Sequence, residues 1–177
     1  MQLWNYGSLS SKFKGFLFKF VHGRLYLNNV LANIDETHPS CTFCKMRLDN
    51  EEQYRDIDRR DQIYLNRLAT LPQESVDHIF LECRETRQIT RNIFTNRLRG
   101  GAFEEKKYMM GDYWTNSKEG ITVRTLCYHY MKFQIYLCRI EKRFPSQQKI
   151  DFEITQFISD LSRNKKWRPF ARTLMRQ

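Results

Sequence analysis

Cys41-Thr42-Phe43-Cys44, followed at a distance by His78 and Cys83, restricts this chain more than any other feature of it. Two cysteines separated by two residues can both reach one ion from a tight turn, and zinc takes four such soft or borderline ligands in a tetrahedron. Shared ligation would tie the region around Cys41 to that around Cys83, whatever the thirty-three residues between the two pairs do. The second pair carries a condition. Residues five apart on an unbroken α-helix point roughly 140° away from each other, so the helix must loosen near Glu82 or Cys83 for both side chains to reach one Zn2+. The plain alternative is a set of small buried thiols beside a hydrogen-bonded histidine, since free cysteines favour interiors. A C-x-x-C on a polar loop is poorly explained by burial, which favours the metal. His38 is close enough to the first pair to act as a substitute ligand, and Cys127 and Cys138 fall at core positions of a helix.

The 177 residues suffice for one core, and 41% apolar against 28% charged content excludes a disordered chain. Five cysteines, an odd number, fit a reduced compartment and metal ligation better than a disulfide framework. No uncharged run approaches the roughly 18 residues that span a bilayer, and the N-terminus lacks the succession typical of a signal peptide. The chain is therefore expected to be intracellular, with no membrane association and with the nucleus as its compartment. A formal charge of +10 draws in polyanions, which makes RNA or DNA the default partner, although an acidic protein or a membrane surface would answer the same field.

Hydrophobic periodicity predicts an all-α fold, a small helical bundle organised around the metal knuckle. Ser10 and Ser11 precede Phe13, Phe16, Leu17, Phe20 and Val21 at helical spacing, and His22-Gly23 is a stop. A second short helix is expected over Leu25 to Ala32. Turn formers from Asn33 to Ser40 put the C-x-x-C on a loop. A densely charged insertion over about 45–72 carries only a thin stripe of Tyr54, Ile57, Tyr64, Leu68 and Leu71 and is expected as a solvated helix. Ser75 caps a helix with Val76, Ile79 and Phe80. Periodicity resumes at Ile89, Ile93, Phe94 and Leu98, as one helix or two, before Gly100-Gly101. Ile121 to Ile140 is apolar on most sides and should be the central buried helix. Ile150, Ile154, Phe157, Ile158 and Leu161 define the last amphipathic helix. Residues 1–162 thus form a helical metal-binding domain, and 163–177, with six basic and no acidic residues, a basic tail.

Gly15-Phe16-Leu17-Phe18-Lys19, His22-Gly23-Arg24-Leu25, the C-x-x-C and Glu74-x-x-x-His78-x-x-x-x-Cys83 together resemble the zinc-binding region C-terminal to the polymerase core of non-long-terminal-repeat retrotransposon reverse transcriptases. Met110-Gly111-Asp112, Ile135-Tyr136-Leu137-Cys138-Arg139 and the basic final helix extend the likeness over nearly the whole chain. The resemblance implies Cys41, Cys44, His78 and Cys83 as ligands. It also implies a role in holding RNA template or target DNA, without polymerase or endonuclease chemistry, beside a reverse transcriptase core. Two departures stand out: the family places about ten to fifteen residues between the ligand pairs where this chain has thirty-three, and its Pro-Thr before the second helix is here Tyr26-Leu27. A polymerase palm needs paired aspartates for two metal ions. Neither Asp56 with Asp58 nor Asp112 supplies them in strand context, so no catalytic centre is expected.

Three basic clusters offer a nucleic-acid surface. Lys12, Lys14, Lys19 and Arg24 form the first, and Arg84, Arg87, Arg91, Arg97 and Arg99 the second. Arg163, Lys165, Lys166, Arg168, Arg172 and Arg176 form the third, with Trp167 among them. The second starts directly after a ligand and recurs about once per helical turn, presenting guanidinium groups to a phosphate backbone, unless it is an ordinary solvated helix face. Trp167 either stacks on a base or docks the tail onto the core. The competing function is a zinc-stabilised structural or adaptor subunit that contacts other protein subunits in a larger assembly.

Overall fold

The computed structural model describes residues 9–34, 38–53, 62–111 and 122–175. Among them the chain is helical, with no named strand and one isolated antiparallel bridge, Ser40 to Gln73. In chain order the α-helices are α1 (Ser11–Val21), α2 (Asn28–Leu31), α3 (Thr42–Gln53), α4 (Gln62–Ala69), α5 (Arg84–Asn92), α6 (Glu105–Met110), α7 (Val123–Ile140), α8 (Gln147–Arg163) and α9 (Arg168–Met175). Two π-helical turns, His78–Glu82 and Ile93–Arg97, flank α5. The expected all-α architecture is what forms. Tyr54, Ile57, Asp56, Asp58, Asp112, Ile121 and Arg176 lie outside the described residues.

α7 is the axis. Thr122 caps it, its Oγ1 accepting from the Thr125 N–H at 3.0 Å, and its residues are buried on most sides. α1, α6 and α8 pack against it, and α9 packs on α8. Aromatic rings mediate these seams: Phe13 of α1 meets Tyr130 and Phe157 edge-on at 5.2 and 5.5 Å, and Tyr130 stacks on Phe157 at 4.1 Å. Phe94 stacks on Tyr128 at 4.7 Å on the opposite flank. Each fully buried ring, such as Phe13 or Phe94, contributes about 1.5–3 kcal/mol by leaving water, which is why a modest chain holds together around one helix.

α1 starts and stops as its sequence dictates. The Ser10 hydroxyl accepts from the Phe13 N–H. Gly23, at φ 62°, then lets its own N–H reach the Phe20 carbonyl and that of Arg24 the Lys19 carbonyl, the paired bonds of a glycine-terminated helix end.

Three expectations change. The C-x-x-C is not held on a loop: Cys41 stands immediately before α3 with its carbonyl accepting from the Lys45 N–H, and Cys44 sits in the first turn. The fully buried Phe43 between them supplies the reason, because a helix there can sink that ring into the core. The charged insertion folds as α3 and α4 packed together, with Leu48 and Tyr64 buried, on either side of residues 54–61. Residues 168–175, read as part of a basic tail, form α9. Trp167, Ala171 and Leu174, spaced one turn apart, are buried in the main core cluster. No helix among the described residues is long and apolar enough to cross a membrane.

Candidate metal centre

Two short segments are clasped to make the site. The Cys41 N–H donates to the Pro72 carbonyl and the Glu74 N–H to the Pro39 carbonyl, both at 2.8 Å, on either side of the Ser40–Gln73 bridge. Glu74 is fully buried. Its carboxylate accepts from the Asn28 N–H at 3.0 Å and the Thr42 N–H at 2.7 Å, which are the opening residues of α2 and α3. It also accepts from Arg139 of α7, Nε at 2.9 Å and Nη2 at 2.8 Å. Asn28 in turn gives its side-chain N–H to the Ser40 carbonyl and takes one from Arg139 on its oxygen. One carboxylate thereby neutralises two helix N-termini and a guanidinium, and anchors the C-x-x-C to the central helix.

The second half depends on the π turn. Ser75 accepts from the His78 N–H at 3.0 Å, and the Cys83 N–H then reaches the His78 carbonyl at 2.7 Å, closing a five-residue step. That wider turn brings residues five apart onto one face, which an α-helix would not do. Cys83 leaves helical geometry at ψ 127° and starts α5. The loosening expected near Glu82 or Cys83 is present, and two helical segments lie here rather than one.

Cys41, Cys44, His78 and Cys83 come together, all buried, with their ligand atoms within 4.8 Å of one another. Cys83 Sγ is 3.9 Å from both Cys41 Sγ and Cys44 Sγ, and Cys44 Sγ is 3.5 Å from His78 Nε2. A disulfide would need about 2.05 Å, and the cysteines are free. Ligands at about 2.3 Å for sulfur and about 2.05 Å for nitrogen around a tetrahedral ion stand roughly 3.8 Å and roughly 3.55 Å apart. Three of the six edges match these values within a few tenths of an ångström and every edge stays within 4.8 Å, so the four residues can hold a metal ion. On the outer side of the ring, His78 Nδ1 lies 3.6 Å from a Glu82 carboxylate oxygen, while Nε2 faces the Cys44 sulfur.

Taken as protein groups alone, the four share protons unequally. Hydrogen bonds from the Cys41 and Cys83 thiols push Cys44 far below its ordinary value, with desolvation opposing them and His78 helping. Cys41 is pushed far up, chiefly by its bond to Cys44. His78 rises to about 10 through its contact with Cys44. Each donor must be free of its proton to bind a metal, so protons and a metal compete for this cluster.

The other candidates separate from this cluster. His38 Nδ1 accepts from the Ser40 N–H at 3.3 Å and lies outside the ligand set. Cys127 and Cys138 are core thiols, Cys127 pushed up to about 12 by burial. Of the arginines after Cys83, Arg84, Arg87 and Arg99 are exposed. Arg91 is half-buried over the Phe103 ring. Arg97 is held by Asp151 at 3.3 Å, the Leu174 carbonyl and the Thr155 hydroxyl. Lys165, Lys166 and Arg168 are exposed around the α8–α9 turn, and Arg168 Nε donates to the Ser162 carbonyl. Trp167 is only 4% exposed, so its ring serves the core.

Sequence reasoning passed over the Glu74–Arg139–Asn28 network. Glu74 and Arg139 both stand in motifs quoted above, but sixty-five positions separate them and no local pattern pairs them. Against known proteins, the chain matches no family model, no curated protein and no solved structure.

Proposed function

We propose that this chain is a zinc-stapled, noncatalytic nucleic-acid-binding module that holds RNA or target DNA in the nucleus, as the resemblance to the retrotransposon reverse transcriptase zinc region suggests. The buried three-cysteine, one-histidine cluster is the observation that carries this. Three thiolates and an imidazole form a closed, soft donor set that suits structural zinc, leaving no open position for a reacting water. Zinc there holds α3, the π turn and the start of α5 in register. Support for the polyanion partner comes from the net charge of +10 and from Arg84 and Arg87, exposed on the helix that leaves the metal site.

The test is metal content by mass spectrometry of purified chain together with an electrophoretic shift at moderate salt. One zinc per chain is expected, with binding that weakens steeply as salt rises. Arg84→Glu with Arg87→Glu should cost about ten-fold or more in affinity and flatten the salt dependence. A metal-loaded chain that shifts no nucleic acid would favour the adaptor reading, and a chain that binds no metal would remove both.

A further inference from the structure

α1 buries Phe13, Phe16 and Phe20 and carries a second aromatic group outside. Phe18 is 44% exposed and packs on the His22 ring with centroids 4.4 Å apart. Tyr26 is 51% exposed, and Lys19 Nζ stands 5.1 Å from its ring centroid. Arg24 is exposed in the turn between them.

The turn makes this placement definite. The paired hydrogen bonds around Gly23 hold Arg24 against the end of α1, and the buried Leu25 and Leu27 force the intervening Tyr26 outward. One residue further on, the Asn28 side chain is fastened to Ser40 beside the metal ligands, and Phe20 meets Phe80 of the π turn edge-on at 5.9 Å. The outer aromatics therefore stand on a part of the fold that the metal centre braces.

Charge points to the occupant. No aspartate or glutamate precedes Asp35, so this segment brings no carboxylate of its own to compete for Lys19 and Arg24. Lys19 stands over one face of the Tyr26 ring, and a ring backed by a cation in this way offers its other face to a base while the neighbouring cations meet the phosphates. A duplex keeps its bases stacked internally and offers the rings nothing, so discrimination favours the unpaired strand.

We propose that Phe18, His22 and Tyr26, flanked by Lys19 and Arg24, form a stacking platform for an unpaired nucleic-acid strand. This rests on the nucleic-acid reading above and adds the form of the partner. It uses an element other than the arginine-bearing α5.

The experiment uses the full metal-loaded chain and fluorescence anisotropy with a labelled oligouridine strand and a labelled duplex of equal length. Phe18→Ala with Tyr26→Ala should weaken oligouridine binding about ten-fold or more and leave duplex binding unchanged, while Tyr26→Trp retains it. Should the alanine variant fail to fold, Phe18→Leu with Tyr26→Leu, which keeps apolar bulk and removes the ring faces, gives the same comparison. Unchanged strand binding in these variants, alongside a loss in Arg84→Glu with Arg87→Glu, overturns the platform and leaves the wider function standing. Equal loss on strand and duplex overturns it as well. Aromatic-dependent binding to phosphatidylserine vesicles without an effect on the strand would assign the surface to a membrane instead. A wild-type chain that binds neither nucleic acid takes the platform and the proposed function down together.

Discussion

Glu74 shows what a single buried charge can organise. Its carboxylate has no exposure and is matched to the Asn28 and Thr42 N–H groups and to Arg139. Removing one partner of a buried pair leaves the other uncompensated, at a cost of about 3–5 kcal/mol. Glu74→Gln is expected to destabilise by that order in urea denaturation, and adding Arg139→Met should recover part of the loss. Lys132 presents the reverse case. It is fully buried on α7, donating to the Tyr108 carbonyl with its Nζ 4.1 Å from the Tyr108 ring centroid and 5.3 Å from that of Phe20. Burial pushes its pKa well below the ordinary 10.5. The unfolded chain takes up this proton below 10.5 and the folded chain resists it, so stability present above that value is lost as pH falls. Lys132→Met forfeits that hydrogen bond and leaves the Tyr108 carbonyl without this donor, about 1–3 kcal/mol, but removes the pH-dependent charge cost. Its stability relative to wild type should therefore fall as pH rises toward 10.5, measured by urea denaturation across that range.

At the scale of elements, local chemistry was legible and long-range partnership was not. Gly23 ends α1 because its φ of 62° costs glycine little, a property of one residue and readable as such. The π turn was legible as a requirement, since His78 and Cys83 share a face only if the helix widens. The start of α3 was not: Pro39 and the turn formers before it signal a loop, and Cys41 has no conventional capping side chain. α9 was missed because its basic surface and Pro169 look like a tail. Yet Pro169 falls in the first turn, where a helix can spare an N–H, and Trp167, Ala171 and Leu174 keep helical spacing. The glycines give a graded test. A Cβ at Gly23 would meet nothing within 4 Å, so Gly23→Ala should cost only its backbone strain, about 1 kcal/mol. At Gly111, φ 72°, a Cβ would come within 2.2 Å of the Thr125 side chain on α7. Gly111→Ala should therefore destabilise distinctly more, read as the difference between the two thermal midpoints.

For the whole molecule, two regions far apart in sequence meet at one cluster beside the central helix. A strong chelator is expected to lower the thermal midpoint by about 10 °C or more, since structural metal contributes folding free energy directly and each kcal/mol moves a chain of this size by about 2–4 °C. Protons compete for the same donors, with His78 raised to about 10 among them. Metal release to a chelator should therefore be easier at pH 6 than at pH 8, measured by dye-monitored transfer, because lower pH favours the protonated cluster.

The clasp of Pro39–Cys41 against Pro72–Glu74 lies at the neck of everything between the two ligand pairs. Chain length added between the two clasped segments would enlarge a ring whose ends are already cinched, and doubling such a flexible length costs only about 0.6 kcal/mol. The cluster of Cys41, Cys44, His78 and Cys83 is thereby insulated from changes of length between its two halves.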